Sequence, residues 1–246
     1  MKHFSAEAGD EVVPWHASAQ RVAQALAQTA VERDQRGGTP KAERDLLRDS
    51  GLLMLSVPAE LGGLGASWRQ TLDVVRGFAR VDSSVAHLFA FHHLLLATTQ
   101  LFAQRAQWQP WIEQTGAHRW FWGNALNPLD KSTRAEAIDG GYVFSGRKSF
   151  CSGASDSDML LASALDANDR LLIGVVPTQR AGITVLDDWD NMGQRQTDSG
   201  SVRFDNVRVE AGELLLDPGP LSTPFACLRA LLAQLILANI YLGLGE

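Results

Sequence analysis

Hydrophobic periodicity changes character once along this 246-residue chain, near Trp120. Before that point apolar residues recur at helical spacing. After it they fall in short alternating runs separated by Gly, Asp and Asn. Segregated runs of this kind predict an α+β chain built from separate parts. In the first half, Val22, Leu26, Thr29 and Ala30 share helical spacing after Pro14, and Gly37-Gly38 stops the segment. Thr39-Pro40 opens a second helix that Gly51 ends. The glycine-bearing stretch 52–65 reads as a loop. Ser67 with Gln70 forms a capping-box pattern for a third helix to about Val81. Ser83 or Ser84 starts a fourth, 85–102, apolar almost all round and therefore buried on most sides.

Beyond Trp120, segments 119–126, 135–138, 142–145, 159–165, 170–177 and 201–209 read as strands. Asp139-Gly140-Gly141 signals a hairpin, and 166–169 a further turn. Val202 and Phe204 alternate with charges. The alternation breaks at Asp205-Asn206 before Val207 and Val209 resume it, which predicts a bulge. Pro218-Gly219-Pro220 reads as a linker, and an apolar helix follows from near Pro224 to the last residue. The expected units are 1–118 helical, 119–218 β, and 219–246 linker plus helix. That last helix offers Leu231, Leu235, Ile236, Tyr241 and Leu242 with no partner surface in sight. It is expected to pack on another subunit or on further chain, the sequence then being a fragment of a longer protein.

Composition closes off several classes. Net charge is −6, with both signs interspersed, so no basic face invites nucleic acid. Cys151 and Cys227 are far apart and form no disulfide framework, which fits a reducing cytoplasm, with Cys151 a small packed residue. The N-terminus is polar and acidic, without a signal segment. The run 230–245 contains Gln234 and Asn239 and reads as a core helix rather than a membrane span. Gly62-Gly63-Leu64-Gly65 lacks the strand–turn–helix setting of a dinucleotide site. No Cys/His spacing suits a metal, and no GxSxG elbow is present.

Two stretches point to a ligand instead: 146–155, GRKSFCSGAS, and 188–201, DWDNMGQRQTDSGS. Each sets small residues and hydroxyls around one aromatic, Phe150 or Trp189, between strands. Bare backbone admits a flat molecule closely, and hydroxyls and amides can bond its polar edge.

Trp122-Gly123-Asn124-Ala125-Leu126, SFCSGA at 149–154 and DDW…GQRQTDSGSV at 187–202 closely resemble the acyl-CoA dehydrogenase superfamily. Within it they resemble the flavin-dependent monooxygenases typified by dibenzothiophene monooxygenase. The resemblance runs from about Trp15 to the end of the chain. It implies an N-terminal helical domain, a middle β-barrel domain and a C-terminal four-helix bundle that also builds a tetramer, of which only the start is present. It implies reduced flavin, FMN before FAD, supplied by a separate reductase. Dioxygen then gives one oxygen atom to sulfur, nitrogen or carbon of a small substrate. A homo-oligomer, dimer or tetramer, is implied as well.

Residue by residue, the resemblance assigns the flavin to Asn124, Leu126, Phe150, Cys151, Ser152 and Trp189. It makes His92, rather than His93, the proton donor near the oxygen-reactive side. A second catalytic histidine is expected beyond Glu246. Segment 128–134 matches a lid that orders on flavin binding, or is an ordinary exposed loop. Arg195 is open to a flavin phosphate, a subunit partner or a surface ion pair. Thr197 and Ser199 are open to a ligand or to turn chemistry. The enzyme alternative is an FAD-dependent acyl-CoA dehydrogenase, although Asn127-Pro128-Leu129-Asp130 departs from its Thr-Glu-Pro pattern. The alternative outside enzymes is an inactive fragment or assembly module.

Overall fold

The computed structural model of the chain describes residues 14–246. The polar, acidic N-terminal stretch lies outside the described residues. Five helices come first: α1 (Pro14–Arg36), α2 (Lys41–Asp49), α3 (Trp68–Ala79), α4 (Ser83–Phe102) and α5 (Arg105–His118). The stops and starts read from the sequence operate as expected. Gly37 and Gly38 take positive φ after α1. At the start of α3, Ser67 Oγ accepts from the Gln70 N–H, and Gln70 Oε1 accepts from the Ser67 N–H at 2.9 Å. Asp82 caps α4 by accepting from the Val85 N–H at 2.9 Å.

In the helical half two features differ from expectation. Stretch 52–65 is no peripheral loop: it forms two short 3-10 turns and buries Leu52, Leu53, Leu55 and Val57. Helix α5 was not expected. Pro110, a residue that argues against a helix, lies inside it, and only Ile112 and Thr115 are buried, so no apolar stripe reveals it.

Seven strands follow: β1 (Trp122–Ala125), β2 (Arg134–Ile138), β3 (Gly141–Lys148), β4 (Met159–Leu165), β5 (Leu171–Pro177), β6 (Ile183–Val185) and β7 (Val202–Glu210). They form one curled sheet. Central β4 is buried at every position. Strand β5 pairs antiparallel along all of β4, and β1 pairs parallel with it. Strand β2 joins β4 at Arg134↔Leu165, then β3, β7 and β6 follow as antiparallel neighbours. Phe144 pairs with Val207 and Gly146 with Phe204, so β7 carries one more residue than β3 in the interval. The bulge falls at Asp205-Asn206 as read, with Asn206 at φ 50°. The three-residue β6 was not foreseen.

Helix α6 (Leu228–Gly245) closes the described chain against α3 and α4. It buries Ile236, Ile240 and Gly243. A Cβ at Gly243 would lie 2.5 Å from the Arg76 carbonyl oxygen, so glycine permits the close crossing with α3. The core-helix expectation holds for this face only. Leu231, Leu235, Tyr241, Leu242 and Leu244 on α6 are exposed. By length and composition both α4 and α6 could cross a membrane; α4 instead lies largely inside the core. One apolar cluster spans both halves, joining Leu95 and Leu96 of α4 to Trp122, Leu161 and Ile173 of the sheet.

Candidate active site

A cavity of about 760 Å³ opens where α4, the end of β1, the turns after β3, the 189–199 loop and α6 meet. Its wall is mostly apolar. Leu126, Phe91, Leu237, Ile240 and Tyr241 contribute to it, with Phe150 and Trp189 at one side. Its polar strip begins on α4. His87 and Phe91 are one helical turn apart, so both project to the same side. Their rings stack at 4.0 Å and 12°.

From His87 a line of hydroxyls runs along the cavity. His87 Nε2 lies 3.1 Å from Ser152 Oγ, which lies 2.7 Å from Ser199 Oγ. Ser199 donates to Thr197 Oγ1 at 2.8 Å, and Thr197 donates to the Gln194 carbonyl at 2.9 Å. A carbonyl only accepts, so the far end fixes the direction of every bond before it. Ser152 therefore donates to Ser199 and accepts from His87, which must carry its proton on Nε2. Burial lowers the His87 pKa to about 4, so the ring is neutral at pH 7.

The backbone around this line is pinned. The Gln194 carbonyl also accepts from the Trp189 Nε1–H at 2.9 Å and the Thr197 N–H at 3.1 Å. Phe150 has φ 56°, a strained setting for a bulky residue, worth about 1–3 kcal/mol. Its ring meets Trp189 edge-on at 5.9 Å. The Asn124 N–H donates to the Ser152 carbonyl at 3.0 Å, tying β1 to the same turn.

Two buried arginines hold these turns against the helices. Arg44 of α2 is fully buried and donates to the carbonyls of Gly153 at 2.9 Å and Asp156 at 2.7 Å. Burial lowers its pKa to about 10, opposed by Asp156 and Asp198, and it stays charged at neutral pH. Arg33 of α1 donates to Gln196 Oε1 at 2.7 Å and Asp82 Oδ2 at 2.6 Å.

Of the residues read from the sequence, Asn124, Leu126, Phe150, Ser152 and Trp189 meet at this cavity, joined by Thr197 and Ser199. Cys151 does not. Its side chain packs in the sheet core, burial pushes its thiol up to about 12, and its N–H is taken by the Gly200 carbonyl at 2.9 Å. His92 does not reach the cavity either, which corrects its assignment as proton donor. Its Nε2–H donates to the Leu53 carbonyl at 2.8 Å, and its Nδ1 accepts from the Trp122 N–H at 3.2 Å. Both ring nitrogens are thus spent on backbone. His93 is likewise buried, between Ser56 and the Leu52 carbonyl. Arg195 turns away and donates to the Asp34 and Asn191 carbonyls. His87, Phe91 and Gln194 were missed. The i, i+4 pairing of His87 with Phe91 was the available signal.

A planar ring with a polar edge fits these residues. The volume is that of an ordinary cofactor pocket. Asn124 Nδ2 has only a 3.5 Å contact with the Phe150 carbonyl and can still donate. Gln194 Oε1 is buried without a hydrogen-bond partner among the described residues, an acceptor left unsatisfied. Among the described residues no group of three His, Cys, Asp or Glu could hold a metal ion.

Residues 15–117 match the acyl-CoA dehydrogenase N-terminal domain and residues 125–207 the middle domain of that family. The chain is 64% identical over 235 residues to a probable FMNH2-dependent monooxygenase, SfnC, of Pseudomonas putida, covering 95% of this chain and 60% of that protein. Methanesulfinate monooxygenase MsuC from Pseudomonas fluorescens has the same fold with TM-score 0.91 at 63% identity, over 94% of this chain and 60% of that one. FMN-bound TdsC from Paenibacillus sp. A11-2 superposes with TM-score 0.86 at 40% identity, over 92% and 61%. The chain thus spans about 60% of the length of these relatives.

Proposed function

The chain belongs to the acyl-CoA dehydrogenase family, and on that premise we propose that it forms the flavin-binding part of a reduced-FMN-dependent monooxygenase acting on a small sulfur compound. The observation that carries this reading is the one-way hydroxyl chain ending at a neutral His87 on an apolar cavity. An FMNH2-dependent relative and FMN-bound TdsC support the cofactor, and the methanesulfinate monooxygenase supports the substrate class. When bound, reduced FMN supplies the electrons with which dioxygen is activated for transfer of one oxygen atom.

The chain's own residues do the rest. His87 donates its Nε2–H to Ser152 Oγ and so fixes the direction of that hydroxyl, while its Nδ1 keeps the lone pair that can take up or return a proton. Asn124 Nδ2 and Gln194 Oε1 orient the ring's polar edge as donor and acceptor. Phe91, Leu126, Leu237 and Ile240 keep water out. In this reading the reductase is a separate protein, the enzyme works in the cytoplasm, and the units are 1–118, 119–218 and 219–246. The exposed face of α6 supports a homo-oligomer.

Titration of the protein with both flavins tests the proposal. FMN should bind about tenfold or more tightly than FAD, near 1.4 kcal/mol. Oxygen uptake should require a flavin reductase and rise on adding a small sulfinate. Dye reduction driven by an acyl-CoA without any reductase would contradict it.

A further inference from the structure

The 127–132 loop between β1 and β2 forms one side of the cavity through Asn127, Pro128, Leu129 and Asp130. A buried cation stands behind it. Lys148, the last residue of β3, is fully buried and lies outside the cavity lining. Its Nζ donates to the Asn127 carbonyl at 3.1 Å and to the Asp130 carbonyl. The Asp130 carboxylate closes the arrangement from the other side. It accepts from the Ser132 N–H at 3.1 Å and hydroxyl at 2.6 Å, and from the Ser149 N–H at 2.9 Å and hydroxyl at 2.8 Å. Within the loop, Asn127 Oδ1 accepts from the Leu129 N–H at 3.2 Å. The loop also lies hard against β3. Gly146 has φ 135°, and a Cβ there would sit 2.4 Å from the Ser132 carbonyl oxygen.

These contacts leave the loop little to gain from a ligand. Burial pulls the Lys148 pKa down, and the Asp130 carboxylate works against that pull. Burial also pushes Asp130 up, but the bonds from Ser132 and Ser149 outweigh it and hold its pKa at about 2. A buried ammonium without partners would be very costly, so the two loop carbonyls are its compensation and cannot leave freely.

We propose that Lys148 is a positioning residue, whose ammonium fixes the 127–132 loop as a standing wall of the cavity before any ligand arrives. Flavin affinity then depends on a side chain that never touches the flavin. This differs from a lid that orders only on binding. The affinity part rests on the flavin reading above; the ordering part does not.

Amide hydrogen exchange on the ligand-free protein, followed by FMN titration, tests it with Lys148→Met and Asp130→Asn. In the unsubstituted protein the amides of Leu129, Ser132 and Ser149 should be protected without FMN. Each substitution should speed their exchange about tenfold or more and weaken FMN binding about tenfold, while the amides of β4 and β5 keep their protection. Fast exchange of the loop amides in the unsubstituted protein would overturn the proposal. So would variants that lose thermal stability but bind FMN with unchanged affinity. Should Lys148→Met fail to fold, Lys148→Gln, which keeps a polar head without the charge, takes its place, because Asp130 lines the cavity and its substitution reports on the carboxylate alone. Should no form bind FMN, the flavin reading falls, and the exchange data still decide the ordering.

Discussion

His87 and His92 sit five residues apart on one helix, about 140° round from each other. That rotation separates a site residue from a core residue. Replacing His87 by Gln should lower turnover about 100-fold or more, with FMN affinity nearly unchanged, as expected for loss of a general acid–base group. Replacing His92 by Ala strands the Trp122 N–H and the Leu53 carbonyl, and should cost about 2 kcal/mol in urea denaturation. Steady-state kinetics beside denaturation curves would tell the two apart.

Both rings, and His93, are held below the ordinary histidine pKa by burial. The folded state therefore takes up protons less readily than the unfolded chain. Stability from these groups is complete above pH 6.5 and is lost as pH falls from there toward 4. Unfolding free energy measured across that range should fall with decreasing pH, and His92→Ala should flatten the slope. The resemblance carried by the motifs named Ser152, Asn124 and Trp189, and the fold brings these three to one cavity. That resemblance did not name His87. In a helix apolar all round, the i, i+4 pairing of His87 with Phe91 is the one local hint, and it does not say which side faces a cavity. Cys151 shows the converse: it sits between Phe150 and Ser152 at the cavity, but the turn after β3, with Phe150 at φ 56°, sends its side chain into the sheet core.

Between elements, the site depends on two charged locks. Helix α4 carries His87, while the sheet's turns carry Ser152 and Ser199. Arg44 and Arg33 reach across from α2 and α1 to hold those turns. Arg44 also lies 4.1 Å over the Phe121 ring and 3.3 Å from Asp156. Arg44→Met should cost about 1–3 kcal/mol, because it strands the buried Gly153 carbonyl, while Asp156 keeps Arg48 at 2.7 Å. Urea denaturation checks the loss, and an unchanged midpoint would show that the lock carries no load. The elements themselves were largely legible. Helix caps, glycine stops, the β2–β3 hairpin and the β7 bulge are local chemistry, written in a few adjacent residues. Helix α5 and strand β6 were not, since one lacks a buried stripe and the other is only three residues long. Lys148 was also illegible. At a strand end a lysine reads as exposed, and only the returning 127–132 loop buries it.

At the scale of the molecule, the cavity belongs to no single segment. Its floor comes from α4, its rim from the turns after β1 and β3, its far side from α6. The motifs announced a ligand for the two turns, but the contribution of Leu237, Ile240 and Tyr241 depends on α6 crossing α3 at Gly243. That crossing is tertiary, and no local pattern gives it. On the proposed function, this junction is shaped for the ring of FMN. A crystal structure of the protein with FMN tests it most directly. The ring should lie in this cavity, with its edge within hydrogen-bond distance of Ser152 or Asn124 and a donor meeting Gln194 Oε1. FMN bound elsewhere, or a cavity refilled by Phe150 and Trp189, would contradict the account.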